Sequence, residues 1–92
     1  MTTTAKPKRR RVKFTMEGNE ESQVFVAGSF NDWSPTKNRL KFKEGRFSTS
    51  VLLPKGRHEY KFVVDGDWCI DPQCAEWSTN DHGSMNSVVT VD

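Results

Sequence analysis

Histidine and cysteine are scarce in this chain. Its 92 residues hold two of each, His58 and His82, Cys69 and Cys74. The cysteines stand in a C-x4-C spacing, too few for a disulfide framework and short of the ligand set a zinc site requires. Two free thiols and no metal are therefore expected. No apolar run approaches the roughly 20 residues of a membrane span. The start, Met1-Thr2-Thr3-Thr4-Ala5-Lys6, runs into basic residues with no apolar stretch behind it. The expectation is a soluble, cytoplasmic protein without a secretory leader. Also absent are G-x-S-x-G, H-E-x-x-H and any phosphate-cradling glycine loop. The twelve carboxylates are spread through turns, and nothing marks Cys69 or Cys74 as an activated thiol beside a histidine. A catalytic barrel needs roughly 250 residues. No catalytic residue and no cofactor are expected.

What the chain does have is strand-forming residues: six Phe, three Trp, one Tyr and many Val. Val12, Phe14 and Met16 alternate with polar residues, the period of a half-buried strand. Val24 and Val26 alternate with Phe25 and Ala27. Leu40 and Phe42 mark a short strand. Phe47, Thr49, Val51 and Leu53 form an inward row, and Tyr60, Phe62 and Val64 another, which turns Lys61 outward. Lys43-Glu44-Gly45-Arg46 and Asp65-Gly66 read as hairpin turns. Trp68–Ile70 reads as a returning strand, residues 71–85 as a long polar loop, and Ser87–Val91 as the closing strand. About seven short antiparallel strands with turns every 8 to 12 residues predict an all-β sandwich over residues 12–92.

Charge is unevenly distributed. Lys6, Lys8, Arg9, Arg10, Arg11 and Lys13 precede residue 14, whereas from Phe14 onward eight Lys or Arg face twelve Asp or Glu, a net of −4. Residues 1–11 are expected to form a disordered basic arm on a mildly acidic body. Such an arm reads as a solubilising tail more readily than as a nuclear-targeting or nucleic-acid-binding cluster, because basic runs of this kind are common by chance, and a mildly acidic body is a poor nucleic-acid surface.

The three tryptophans stand in polar company, in Asn31-Asp32-Trp33-Ser34-Pro35, in Asp65-Gly66-Asp67-Trp68 and in Ala75-Glu76-Trp77-Ser78-Thr79. Rings placed so are candidates for exposure, and exposed indoles suit carbohydrate. The C–H face of a pyranose stacks on an indole, while Lys, Asn and Ser bond the hydroxyls. Core packing is the competing reading for each tryptophan.

Four motifs, in order, carry a resemblance over about residues 12–92. They are Val24–Trp33 (VFVAGSFNDW), Gly56–Trp68 (GRHEYKFVVDGDW), Asp71-Pro72 and Asn86-Ser87-Val88-Val89. Together they resemble carbohydrate-binding module family 48, the isoamylase N-terminal or early-set domain of glycogen branching and debranching enzymes. The glycogen-binding domain of the AMP-activated protein kinase β subunit is of this type. The resemblance implies an immunoglobulin-like sandwich without catalytic residues, associated with glycoside hydrolase family 13, that binds glycogen, starch or maltooligosaccharide. It implies that Trp33 and Trp68 stack on glucose and that Lys61 and Asn86 bond hydroxyls. In kinase-type members a leucine of the loop before the last strand pierces a cyclic glucan. His82 stands at that place here, so that contact is expected to be weaker. His82 and Ser84 complete the candidate set. Trp77 lies outside the pattern and is expected to pack against Pro72. The alternative function is a protein-interaction domain of a glycogen-metabolising enzyme or kinase assembly, with little sugar affinity.

Overall fold

The computed structural model describes residues 9–80 and 83–92. Among them lie eight strands and no helix: β1 (Arg9–Glu17), β2 (Val24–Gly28), β3 (Lys41–Lys43), β4 (Arg46–Pro54), β5 (Gly56–Val64), β6 (Asp67–Cys69), β7 (Trp77–Thr79) and β8 (Met85–Val91). A three-stranded antiparallel sheet has the order β1-β4-β3. A five-stranded antiparallel sheet has the order β2-β5-β8-β7, with β6 also paired to β5. The edge of β5 opposite β2 is shared, since β8 pairs Gly56–Tyr60 and β6 pairs Phe62–Val64.

The two sheets close on one core, where Phe14, Phe47 and Leu53 meet Val24, Val26, Leu40, Tyr60, Phe62 and Val91. Tyr60 lies edge-on to Phe14, with ring centroids 4.9 Å apart. The alternation read from sequence is kept, so every second side chain of each long strand points away from this core. On β5 the outward series is Arg57, Glu59, Lys61 and Val63.

Both two-residue hairpins form with left-handed backbones, at Glu44 (φ 54°) and Gly45 (φ 81°), and at Asp65 (φ 50°) and Gly66 (φ 88°). This is the turn geometry that matches strand twist. Three expectations need correction. β1 begins at Arg9, because Arg9–Arg11 pair with Leu52–Pro54, so these residues belong to the sandwich and not to an arm. The polar stretch 71–85 is not one loop, because Trp77–Thr79 pair with Met85–Ser87. The returning strand is Asp67–Cys69, one residue earlier than expected. No described helix is long and apolar enough to cross a membrane.

Candidate carbohydrate-binding site

The first motif folds around a buried asparagine. Asn31, 6% exposed, accepts a hydrogen bond from Gly28 N at 2.9 Å. Its amide donates to Val26 O at 2.9 Å and to Asn38 Oδ1 at 2.7 Å. These bonds satisfy backbone groups along the edge of β2 that faces away from β5. Gly28 is required on steric grounds, because a Cβ there would lie 2.6 Å from Glu59 O and 2.5 Å from Phe30. Phe30 turns inward and stacks on Phe14, centroids 5.6 Å apart. The chain then passes through two left-handed residues, Asp32 and Trp33, both at φ 57°. Trp33 N donates to Gly28 O at 2.9 Å. A left-handed tryptophan is unusual and costs free energy, and here it places a partly buried indole beside the outer face of the five-stranded sheet.

Trp33 lines a shallow depression of about 410 Å³ with Ser29, Arg57, Glu59, Thr79, Asn80 and Asn86. Its polar groups are tied together. Asn86 Nδ2 donates to Glu59 Oε1 at 3.0 Å, and Arg57 Nη1 to Glu59 Oε2 at 3.2 Å. Asn80 Nδ2 donates to Ser84 Oγ at 2.7 Å and to Asn86 Oδ1 at 3.3 Å. Asn86 is itself buried, which fixes its amide.

Trp68 lines a second depression, also about 410 Å³, with Phe25, Val63, Pro35, Thr36, Gln23, Asp65 and Gly66. Phe25, Val63 and Trp68 form one cross-strand rung over β2, β5 and β6. Val63 points outward yet is only 3% exposed, because its two neighbours in the rung cover it, while Trp68 keeps 46% of its surface. Between the depressions lies Lys61, opposite Ala27 on β2, with Nζ donating to Ser84 Oγ at 3.0 Å. Glu59 to Val63 is four residues of strand, about 13 Å, longer than one pyranose ring.

The Asp71-Pro72 motif works from beneath. Tyr60 Oη donates to Asp71 Oδ2 at 2.7 Å, and Asp71 N donates to Ser87 Oγ at 2.8 Å. Burial, reinforced by the Asp71 carboxylate, pushes the Tyr60 phenol far above its ordinary range. Burial also pushes the Cys69 thiol up, helped by Asp67 and Asp71 and opposed by Lys61. Both cysteines are free, and the raised Cys69 thiol is a poor nucleophile.

A family model described as the glycogen recognition site of AMP-activated protein kinase matches residues 9–92. The chain belongs to this family. Subunit beta-2 of human 5'-AMP-activated protein kinase is 43% identical over 75 residues, 82% of this chain and 26% of that protein. Protein FLOURY ENDOSPERM 6, chloroplastic, of Oryza sativa subsp. japonica is 36% identical over 81 residues, 88% of this chain and 15% of that one. The chain thus spans about a quarter or less of these relatives. A maltogenic amylase from S. marinus superposes with a TM-score of 0.77 over 91% of this chain and 14% of that one. Its 19% identity makes that a likeness of fold. The glycogen-recognition family is a binding family and not a catalytic one.

Of the six residues expected at the site, Trp33 and Asn86 share one depression, Trp68 lines the other, and Lys61 and Ser84 lie bonded to each other. His82 lies outside the described residues. Trp77 is 43% exposed on edge strand β7, more open than packing against Pro72 predicts. Arg57, Glu59 and Asn80 were missed. The signal for the first two was present, since they share the parity of Lys61 on β5.

Proposed function

We propose that this domain binds an α-glucan chain along the outer face of the five-stranded sheet, from Trp33 across Lys61 to Trp68. The observation that supports it is the placement of two tryptophan-lined depressions on one face, joined by Lys61, Ser84, Glu59 and Asn86. Indole faces take the apolar side of glucose rings, and the amide, amine, carboxylate and hydroxyl groups take the ring-edge hydroxyls. The bonds among Glu59, Asn80, Ser84 and Asn86 preorganise donors and acceptors before ligand arrives. Membership of a family described as a glycogen recognition site, and relatives named as subunits of an AMP-activated protein kinase or as chloroplastic proteins, accord with glycogen or starch as the polymer. A cytoplasmic setting goes with the kinase-type relatives.

A second reading is docking to a separate polypeptide of a glycogen-metabolising assembly. It is favoured by Trp77 and Met85, each 43% exposed near one sheet edge.

One titration separates the two. ¹⁵N-labelled protein is titrated with maltoheptaose and β-cyclodextrin while amide and indole N–H signals are followed. The glucan reading expects the Trp33 and Trp68 indoles and the Lys61 and Asn86 amides to shift together and saturate. The order of the two affinities tests the His82 departure. Signals that stay still at millimolar ligand overturn the glucan reading.

A further inference from the structure

The run Arg9-Arg10-Arg11-Val12-Lys13 is not absorbed by the glucan face. It forms β1 at one edge of the three-stranded sheet, on the far side of the sandwich. Phe14, Phe47 and Leu53 point inward, so Arg9, Arg11 and Lys13 on β1 and Arg46 on β4 point out by alternation. Across the sheet, Lys41 and Lys43 on β3 stand opposite Ser48 and Arg46. Six cationic side chains thus share one face, all of them exposed. The carboxylates near them are Glu17, 3.6 Å from Arg46, and Glu44, which lines a depression of about 280 Å³ with Lys13, Lys43, Arg46 and Ser48. The remaining five cations have no ion pair among the described residues. Six of the fourteen Lys and Arg side chains of the chain are thus gathered on one surface.

We propose that this face docks on an anionic lipid membrane surface. Charge complementarity is the first argument, because clustered Lys and Arg are drawn to anionic headgroups. Flatness is the second: the central strand contributes Ser48 and Ser50 between the basic strands, so nothing bulky rises from its middle. The third is Leu52, register partner of Arg11 and 51% exposed, an apolar side chain among cations. Such a residue suits the headgroup–acyl boundary and serves no purpose against a phosphodiester backbone. Among the described residues, no aromatic side chain lies on this face to stack a base, which argues against single-stranded nucleic acid. The outer faces of the two sheets look in opposite directions, so a docked domain would keep the Trp33–Trp68 face free.

The test is flotation of the full chain with vesicles of phosphatidylcholine, with and without phosphatidylserine at about one lipid in four. The expected result is binding to the anionic vesicles alone, lost as NaCl is raised from about 0.05 to about 0.5 M. Reversing Lys41→Glu and Lys43→Glu is expected to weaken partitioning by about tenfold or more. These residues are exposed and distant from the glucan face, so near-ultraviolet circular dichroism and maltoheptaose binding should stay unchanged. Leu52→Ser is expected to weaken partitioning without changing its salt dependence. Failure to float with anionic vesicles at low salt overturns the proposal. So does flotation indifferent to the double reversal. Capture by a single-stranded oligonucleotide or by polyglutamate, with the vesicles ignored, overturns it in favour of those partners.

Discussion

Asn31 illustrates how one residue sets the geometry of the proposed binding surface. Its side chain makes three hydrogen bonds, holding the free edge of β2 and the Trp33 loop together. Asn31→Ala leaves Gly28 N and Val26 O without those partners, and buried polar groups so stranded are costly. A loss of about 2–4 kcal/mol is expected in urea unfolding, with weaker glucan binding because the loop no longer holds Trp33. Trp33 makes the opposite prediction. Its left-handed backbone stores strain that glycine would relieve. Trp33→Gly should therefore cost little or no stability in the same unfolding measurement, while calorimetry with maltoheptaose shows binding lost. A residue serving only the fold would lose stability and binding together.

At the scale of elements, the Asp65-Gly66 hairpin aims Trp68. Gly66 at φ 88° admits an L side chain only with strain, although a Cβ there would meet open space. Gly66→Ala should lower stability by about 1 kcal/mol and weaken glucan binding, and Gly66→Asn should cost less because asparagine tolerates left-handed backbone. Chemical denaturation of both variants measures the difference. This hairpin was legible in the sequence, as were the one at Glu44-Gly45 and the alternation of β1, β2, β4 and β5, because local sterics and period decide them. β7 was not. Trp77-Ser78-Thr79 is three residues long with no pattern of its own, and it is a strand only because β8 pairs with it. Arg9–Arg11 were illegible for the same reason: they carry no apolar alternation, and Leu52–Pro54 supply the ladder. The candidate site was half legible. Alternation turned Lys61 outward, and by the same rule Arg57 and Glu59. What no local rule supplies is that Trp33 and Trp68 line separate depressions, since that depends on where the 29–38 loop runs along β2.

For the molecule as a whole, Tyr60 links the core to the proposed glucan face. Its ring packs between Phe14 and Phe62, while its hydroxyl reaches Asp71, whose backbone is held by Ser87 of β8. β8 in turn carries Asn86, so this contact braces the site from behind. It also makes stability depend on alkaline pH. Burial and the neighbouring carboxylate favour the neutral phenol in the folded protein, so its folded pKa lies above the unfolded value of 10.0. The stabilisation is fully present below pH 10. It falls as pH rises above that, because the unfolded chain can ionise Tyr60 and the folded one cannot, at about 1.4 kcal/mol per pH unit. Tyr60→Phe should cost about 1.5–3 kcal/mol near neutral pH, the worth of a hydrogen bond to a charged acceptor, and should abolish this group's alkaline slope. Unfolding free energies of the two proteins measured from pH 7 to 11 should therefore converge above about pH 10. Curves that run parallel throughout would mean that the Tyr60–Asp71 contact does not hold the phenol neutral.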